Sequence, residues 1–275
     1  PIGVILANLA LIITSALVSE EFFNTWGWRI PFLASAVLIL ISMYMQLNLE
    51  DTDAFKALVD NKDTQSDENI KKSPVVEAIR KYPKRIFLAA GAFLSVQVTF
   101  YILIAFMLAY GVTSANMARD DMLAAVLIAS AIMVPVQFIF SSYSDRHGRK
   151  GIFMSGAVLT GIWAFAIFPL VDTGNFYLIV LAITGGLVFL AMMYGPQAAF
   201  FTELFSTEVR YSGATLGYQF GAIVGGAFAP TIAVKLWTEF DIIWVSAYIA
   251  LASLLTLLSV MALTETYQSD LNNTD

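Results

Sequence analysis

Cysteine is absent from this 275-residue sequence, and His147 is its single histidine. The absence of cysteine excludes disulfide bonds, thiolate metal sites and a cysteine nucleophile. One histidine cannot form the multi-histidine sites that bind zinc and other transition metals. We therefore expect neither a metal site nor a cofactor.

Charged residues are also scarce in this chain. They make up 13% of the sequence, whereas hydrophobic residues make up 58%. Soluble domains contain about 25% charged residues, so the chain has about half of the charge that a water-exposed surface normally carries. The formal net charge of −6 gives no reason to expect a nucleic-acid partner. This composition favours a lipid bilayer as the surroundings of the chain.

Long apolar runs account for the low charge. A helix needs about 17–25 apolar residues to cross a bilayer. The runs show no period-2 alternation and are much longer than barrel strands, so they are predicted to be α-helices. None resembles a cleavable signal peptide, and together they predict an all-α, polytopic membrane protein. The eight predicted helices are 1–18, 30–47, 85–110, 122–143, 151–171, 176–201, 211–236 and 242–263.

The basic residues predict how these helices are oriented. Eight of the 15 Lys and Arg residues lie within 48–85, three lie within 144–150, and Arg210 lies within 202–210. Cytoplasmic loops of membrane proteins carry an excess of Lys and Arg. We therefore expect these three segments and the tail after residue 264 to face the cytoplasm.

The spacing of the helices predicts four segments along the chain. Two helices lie in 1–47, a polar cytoplasmic linker occupies 48–84, six evenly connected helices lie in 85–263, and 264–275 form a cytoplasmic tail. Pro1 lies inside an apolar run that has no flanking positive charge. We expect a bundle of two pseudo-repeated six-helix halves, of which the second is complete and the first is truncated.

The linker is predicted to change character along its length. Its first part is acidic and polar, which is typical of a mobile segment. Ser73 can cap a short amphipathic helix over 74–82, whose valines and isoleucine would face the membrane while Arg80 and Lys81 meet the lipid headgroups. The alternative is a plain linker without such a helix.

No Asp, Glu, Lys or Arg lies in the middle of any predicted helix. Carriers that are coupled to protons usually place an ionisable group at membrane depth. If the protein moves protons, the titrating group is therefore either in the truncated part, which we favour, or Glu203 at a helix end.

Neutral polar side chains interrupt several helices and predict a polar cavity. Gln97 and Tyr101 lie one turn apart on one helix face. The helix of Tyr194 and Gln197 contains a Gly-Pro pair, which should weaken or bend it and help these side chains to line a cavity. The alternative for each residue is a simple hydrogen bond to a neighbouring helix, worth about 1 kcal/mol. The predicted substrate-side residues are Gln97, Tyr101, Tyr194, Gln197, Tyr218 and Gln219, and Gln137 is a further neutral polar residue in the helices.

Glycine recurs at every fourth position of the helix predicted over 211–236. Such spacing forms a smooth stripe that lets another helix approach closely. The stripe extends over more than three turns, which favours a surface along which a neighbouring helix can slide or rock. A static, tight contact is the alternative interpretation. The stripe consists of Gly213, Gly217, Gly221 and Gly225.

The stretch SSYSDRHGRK, residues 141–150, resembles the cytoplasmic loop motif of the major facilitator superfamily, Gly-x-x-x-Asp-Arg-x-Gly-Arg-Lys/Arg. Ser141 replaces the leading glycine, and Gly148 permits a tight turn. Ordinary positive-inside anchoring is the alternative, but it explains only the basic residues. The residues that fit the motif are Asp145, Arg146, Gly148, Arg149 and Lys150.

These loop residues predict an ionic network on the cytoplasmic face. Asp145 can cap or face the positive end of a neighbouring helix. Arg146 and Arg149 can bridge to Glu203 and Glu208 of the next cytoplasmic loop. Such a network would close this face and would break when the face opens. The predicted cytoplasmic gate consists of Asp145, Arg146, Gly148, Arg149, Glu203 and Arg210.

Two further segments are similar to the metabolite:proton symporter branch of the superfamily. One is WGWRIPF, residues 26–32, and the other lies within 196–213 and ends in Arg-Tyr-Ser-Gly. The resemblance covers nearly the whole chain and implies that its eight helices correspond to the fifth through twelfth of a twelve-helix transporter of the plasma (inner) membrane. It also implies a substrate that is a small carboxylate or zwitterion, such as shikimate, 2-oxoglutarate, citrate, proline or betaine. The residues of the second segment that carry the resemblance are Pro196, Ala199, Glu203, Phe205, Arg210, Tyr211, Ser212 and Gly213.

We therefore expect a secondary active transporter, in which the two halves rock around a midplane site by alternating access. Its partners would be a small-molecule metabolite, protons and the lipid bilayer. An intramembrane enzyme is disfavoured because the chain lacks paired carboxylates, metal ligands and a cysteine nucleophile. A receptor or scaffold without transport, or a degenerate remnant of a transporter, is the remaining alternative.

Overall fold

The computed structural model describes residues 2–49, 74–206 and 209–267, and α-helices account for most of them. A short 3₁₀ turn, Gly27–Arg29, precedes α3. Two of the long helices contain a π-helical turn, which lies at Ile102–Phe106 in α5 and at Ile223–Ala227 in α9. The helices are α1 (Ile2–Leu17), α2 (Glu20–Thr25), α3 (Ile30–Asn48), α4 (Pro74–Lys81), α5 (Pro83–Thr113), α6 (Arg119–His147), α7 (Arg149–Val171), α8 (Phe176–Glu203), α9 (Arg210–Glu239) and α10 (Ile242–Ala262).

All eight predicted membrane helices are present, so the predicted all-α membrane fold is confirmed. Seven apolar helices of the described residues are long enough to cross a membrane, and α1, with 16 residues, is shorter. The predicted loop over 144–150 is much shorter than expected. α6 continues to His147 and α7 begins at Arg149, so Gly148 alone separates them.

The chain forms two compact units, one within Ile2–Lys71 and the other within Lys72–Asp275. In the first unit α1 contacts α3, and most side chains of both helices are exposed. The structure does not test the predicted pair of six-helix halves.

The second unit is a helical bundle with an extensive apolar core. α8 packs against α6 and α7, α10 packs against α5 and α7, and α9 packs against α5. Six phenylalanines have almost no exposed surface and fill the space between these helices. They are Phe93, Phe106, Phe153, Phe168, Phe200 and Phe205.

Buried hydroxyl groups connect α5 to α10. The hydroxyls of Ser95 and Ser253 lie 2.9 Å apart, and the Thr256 hydroxyl donates to the Gly91 carbonyl at 2.8 Å. Hydrogen bonds of this kind between membrane helices contribute roughly 1 kcal/mol each. The pairing of these two helices therefore relies on small polar groups as well as on apolar packing.

The predicted amphipathic helix of the linker is present as α4, although Ser73, its expected cap, lies outside the described residues. Val75, Val76 and Ile79 are exposed, as expected for residues that face a membrane. Ala78 is fully buried, and α4 contacts α5 and α9. This helix is therefore anchored to the second unit.

Three glycines of the α9 stripe, Gly217, Gly221 and Gly225, lie against α5, and Gly213 lies against Phe205. A Cβ atom at Gly221 would lie 2.8 Å from the Ala90 carbonyl oxygen, and one at Gly225 would lie 3.0 Å from the Leu94 carbonyl oxygen. Backbone atoms cannot easily move away from such a contact. This arrangement favours a static, tight contact between α9 and α5 over a sliding surface.

We expect the Gly221→Ala substitution to separate α9 from α5 and to destabilise the bundle by about 1–3 kcal/mol, the usual cost of overpacking. The measurement is thermal unfolding of the purified protein in detergent. Gly151→Ala is the matched control, since a Cβ at Gly151 would meet no atom within 4 Å. Equal unfolding temperatures for the two variants would contradict the tight contact.

Candidate functional site

Two cavities of the second unit share the side chains of Tyr194 and Tyr218. The larger, which we call the glutamine cavity, has a volume of about 500 Å³ and is also lined by Gln137 and Gln197. The smaller, which we call the tyrosine cavity, has a volume of about 160 Å³. It is lined by Tyr194, Tyr218, Gln97, Tyr101 and four apolar residues. Helices α5, α6, α8 and α9 thus bring neutral polar groups together.

Local helix geometry explains why these side chains meet. Gln97 and Tyr101 lie four residues apart on α5, and Tyr194 and Gln197 lie three apart on α8, so each pair shares one helix face. Tyr101 directly precedes the π-helical turn of α5. Such turns are frequent at functional sites because they redirect the side chains beside them.

A close crossing of α6 and α8 positions the glutamine cavity. A Cβ atom at Gly195 would lie 3.1 Å from the Gln137 carbonyl oxygen and 3.1 Å from the Ser141 nitrogen. Only glycine therefore fits without displacing α6. α8 remains helical through Gly195 and Pro196.

The amide group of Gln197 is the most unusual polar group of the cavity. The residue is 4% exposed, and its Oε1 atom has no hydrogen-bond partner within the described part of the chain. A buried polar group without a partner costs roughly 1–3 kcal/mol. This oxygen is itself fully buried, so a ligand in the glutamine cavity would remove the cost only after the amide rotates toward the cavity.

Five of the six predicted substrate-side residues line the two cavities, and Gln219 lines neither of them. Gln219 is exposed on α9. Consecutive helix residues point about 100° apart, and here Tyr218 lines both cavities while Gln219 points away from them. The side chain that the bundle turns inward is that of Tyr218.

A second polar cluster lies where α6 ends and α7 begins, and we call it the Arg149 cluster. The Arg149 guanidinium donates to Glu203 through Nη2 at 2.9 Å and through Nε at 3.1 and 3.2 Å. Its Nη1 donates to Asp145 and, at 3.2 Å, to the Ser144 hydroxyl. The Arg149 side chain is 11% exposed and that of Glu203 is 18% exposed. Arg149 therefore ties α7 to both α6 and α8.

The predicted tight turn at Gly148 is confirmed by its φ of +100°, which side chains rarely adopt. The network itself differs from the expectation in two ways. Asp145 binds Arg149 instead of facing the end of a neighbouring helix. Arg146 forms no ion pair among the described residues, so Arg149 alone bridges to Glu203 there. Glu208 lies outside the described residues, and the Nε of Arg210 donates to the Phe205 carbonyl at 3.4 Å.

The segment after α10, which the sequence predicts to be only a tail, also binds the Arg149 cluster. The Glu265 carboxylate accepts hydrogen bonds from the backbone N–H groups of Arg149 at 3.1 Å and Lys150 at 3.0 Å. It thereby caps the positive N-terminus of α7. The hydroxyl of Thr266 donates to Glu203, and that of Tyr267 donates to the Arg146 carbonyl at 2.9 Å.

A sequence signal for this contact did exist. The run Thr-Glu-Thr-Tyr, residues 264–267, places a carboxylate between hydroxyl groups directly after an apolar helix. The start of α7, by contrast, has no acidic residue in its first turn. An uncapped helix start with two adjacent cations is a natural partner for such a carboxylate, but the pairing joins residues more than 100 positions apart.

A further contact that the sequence did not reveal lies at the opposite end of α7. The Tyr110 hydroxyl donates to Asp172 at 2.6 Å. The Tyr110 ring packs against Phe106, Phe168 and Trp237. This aromatic group joins α5, α7 and α9 at the end of the bundle away from Arg149.

The apolar helices, the neutral cavities and the ionic cluster at one end together define a polytopic helical membrane protein with a site lined by neutral polar groups. The family model of the Major Facilitator Superfamily matches residues 2–218. The chain belongs to this superfamily, and the predicted membership is confirmed.

Three curated relatives show how much of such a protein this chain represents. The chain is 30% identical to the inner membrane metabolite transport protein YhjE of Escherichia coli K12, over 98% of the chain and 61% of that relative. It is 30% identical to the shikimate transporter of the same organism, over 91% of the chain and 56% of the relative. It is 29% identical to the proline/betaine transporter of that organism, over 90% of the chain and 50% of the relative. The chain thus spans between half and two thirds of the length of these relatives.

Proposed function

We propose that this chain is the larger part of a secondary active transporter that carries a small carboxylate or zwitterionic metabolite in symport with protons. The observation that carries this proposal is the pair of adjoining cavities lined by neutral polar groups of α5, α6, α8 and α9, with Gln197, whose amide oxygen has no partner among the described residues, on the wall of the glutamine cavity. The names of the relatives, which include shikimate and proline/betaine transporters, support a substrate of this size.

The two polar sites have different roles in this proposal. The cavity residues would bind the metabolite near the midplane, and the Arg149 cluster would close the end of the bundle that we propose to be cytoplasmic. Opening that end would require the contacts of Arg149 with Glu203 and of Glu265 with the start of α7 to break. Alternating access of this kind is usual for transporters that are built from repeated halves.

Uptake by the full-length protein tests this proposal. We expect proteoliposomes to accumulate radiolabelled shikimate, proline or betaine when a pH gradient, acidic outside, is imposed. Collapse of the gradient by a protonophore should abolish the accumulation. Uptake that needs sodium instead of the pH gradient would overturn proton coupling, and specific binding without any uptake would favour a receptor.

Neutralising Asp145 by the Asp145→Asn substitution gives a more specific test of the gate. We expect the maximal uptake rate to fall while the KM for the metabolite remains nearly unchanged, because Asp145 contacts Arg149 and lines neither cavity. The decrease should be moderate, since the Asp145 side chain is 57% exposed and exposed ion pairs are weak. A loss confined to substrate affinity would contradict the assignment of Asp145 to the gate.

A further inference from the structure

An apolar groove on the second unit lies apart from both polar sites. Its volume is about 530 Å³, and α4, α5, α9 and α10 line it. Among its lining residues Ser259 alone has a polar side chain, and the walls include Phe87, Leu94, Phe220 and Val224. Phe87 and Val224 are 77% and 59% exposed, so the groove opens sideways to the surroundings of the bundle.

The groove has the length of a lipid chain in one leaflet. Along α5 it extends from Pro83, near the helix start, to Leu94. At ~1.5 Å per residue these positions are roughly 16 Å apart, about half of the ~30 Å hydrocarbon core of a bilayer. The length of the groove along α5 therefore matches about one leaflet.

Two exposed cations, Arg80 and Lys84, neighbour lining residues at the α4 end of the groove in the sequence. Lys84 lies seven residues before the lining residue Gly91, so the two share one face of α5. Arg80 directly follows the lining residue Ile79 on α4, and both cations are exposed and have no carboxylate partner among the described residues. The acidic residue of α4, Glu77, lies three residues before Arg80 and therefore on the same side of the helix, but the two form no ion pair among the described residues.

We propose that this groove binds one anionic phospholipid, with an acyl chain along α5 and the phosphate group beside Arg80 and Lys84. The apolar walls favour an acyl chain over a polar solute. The two cations favour an anionic headgroup over a neutral one. A bound lipid would also contact α4, through which the linker enters the bundle. The proposed site shares no lining residue with either polar cavity and does not rest on the proposed function.

Native mass spectrometry of the purified full-length protein tests the site directly. The probes are phosphatidylglycerol and phosphatidylcholine with identical acyl chains, added in equal amounts to the detergent-solubilised protein. We expect one phosphatidylglycerol to remain bound in clear preference to phosphatidylcholine. Each of Arg80→Gln and Lys84→Gln should lower this preference about fivefold, because a cation near an anionic lipid contributes roughly 1 kcal/mol.

Two further variants test the groove itself. Val224→Trp should fill the groove and remove both lipids, and Val234→Trp, the same change on α9 outside the lining residues, should leave binding unchanged. Retention of the preference in the double variant R80Q/K84Q, or undiminished binding in V224W, would overturn the proposal. Displacement of the lipid by inorganic phosphate alone, or a second copy of the protein bound in its place, would also overturn it.

The conservative variants R80K and K84R should restore the preference, which separates loss of charge from misfolding.

Discussion

The Arg149→Ala substitution is expected to lower the maximal uptake rate of the full-length protein about 10- to 100-fold while KM changes much less. Arg149 donates three hydrogen bonds to the Glu203 carboxylate, which is 18% exposed, and also binds Asp145. Hydrogen bonds to charged groups contribute roughly 1.5–3 kcal/mol, and this energy would be lost in the closed state alone. If this end of the bundle closes too rarely, the transport cycle slows. Initial-rate uptake measures this effect.

Arg146→Ala is the matched control for this experiment. It removes the same charge from the same segment, but the Arg146 side chain has no ion pair in the described part of the chain. Its uptake rate should therefore stay within about twofold of the wild type, as is usual for surface substitutions. Equal losses in the two variants would show that positive charge at this end matters and that the specific contact with Glu203 does not.

The Gln197→Leu substitution is expected to raise KM roughly 10-fold or more and to leave the thermal stability equal or higher. Its amide oxygen has no partner within the described residues, so leucine removes a buried polar group that costs roughly 1–3 kcal/mol. Because the amide is proposed to bind the metabolite, the same change also removes a contact from the substrate-bound state. Uptake kinetics and thermal unfolding of the same purified variant provide both measurements.

Gln219→Leu is the matched control for Gln197→Leu. Gln219 is exposed on α9 and lines neither cavity, so its replacement should leave KM unchanged. A lower unfolding temperature for Q197L would indicate that Gln197 holds neighbouring helices together, which was the structural alternative for each of these glutamines. An unchanged KM in Q197L would remove this residue from the proposed binding site.

The helices could be predicted closely because the bilayer imposes a simple rule on the sequence. A segment that crosses the hydrocarbon core must be apolar over about 20 residues and must satisfy its own backbone hydrogen bonds. The run 151–171, for example, was predicted within two residues of α7, Arg149–Val171. The ends were less predictable where charged residues continue a helix, as in α6, which extends four residues beyond its apolar run to His147.

The candidate site was predictable only where residues act locally. The turn at Gly148 follows from the absence of a side chain, and helix periodicity places Gln97 beside Tyr101 and Tyr194 beside Gln197. Which helix packs against each of these faces was not predictable. The stripe of α9 could have belonged to a moving interface, but the structure packs it on α5 of the same unit.

The sequence by itself determined that this is a polytopic helical membrane protein, that its helices contain no charge at their middle, and that a basic turn connects two of them. These properties depend on composition and spacing along the chain. Only the tertiary structure decided that Tyr218 and not Gln219 faces the cavity, that Arg149 pairs with Glu203, and that Glu265 caps α7. The physical reason is that these contacts join helices far apart in the chain, so they depend on how the helices rotate and pack against one another.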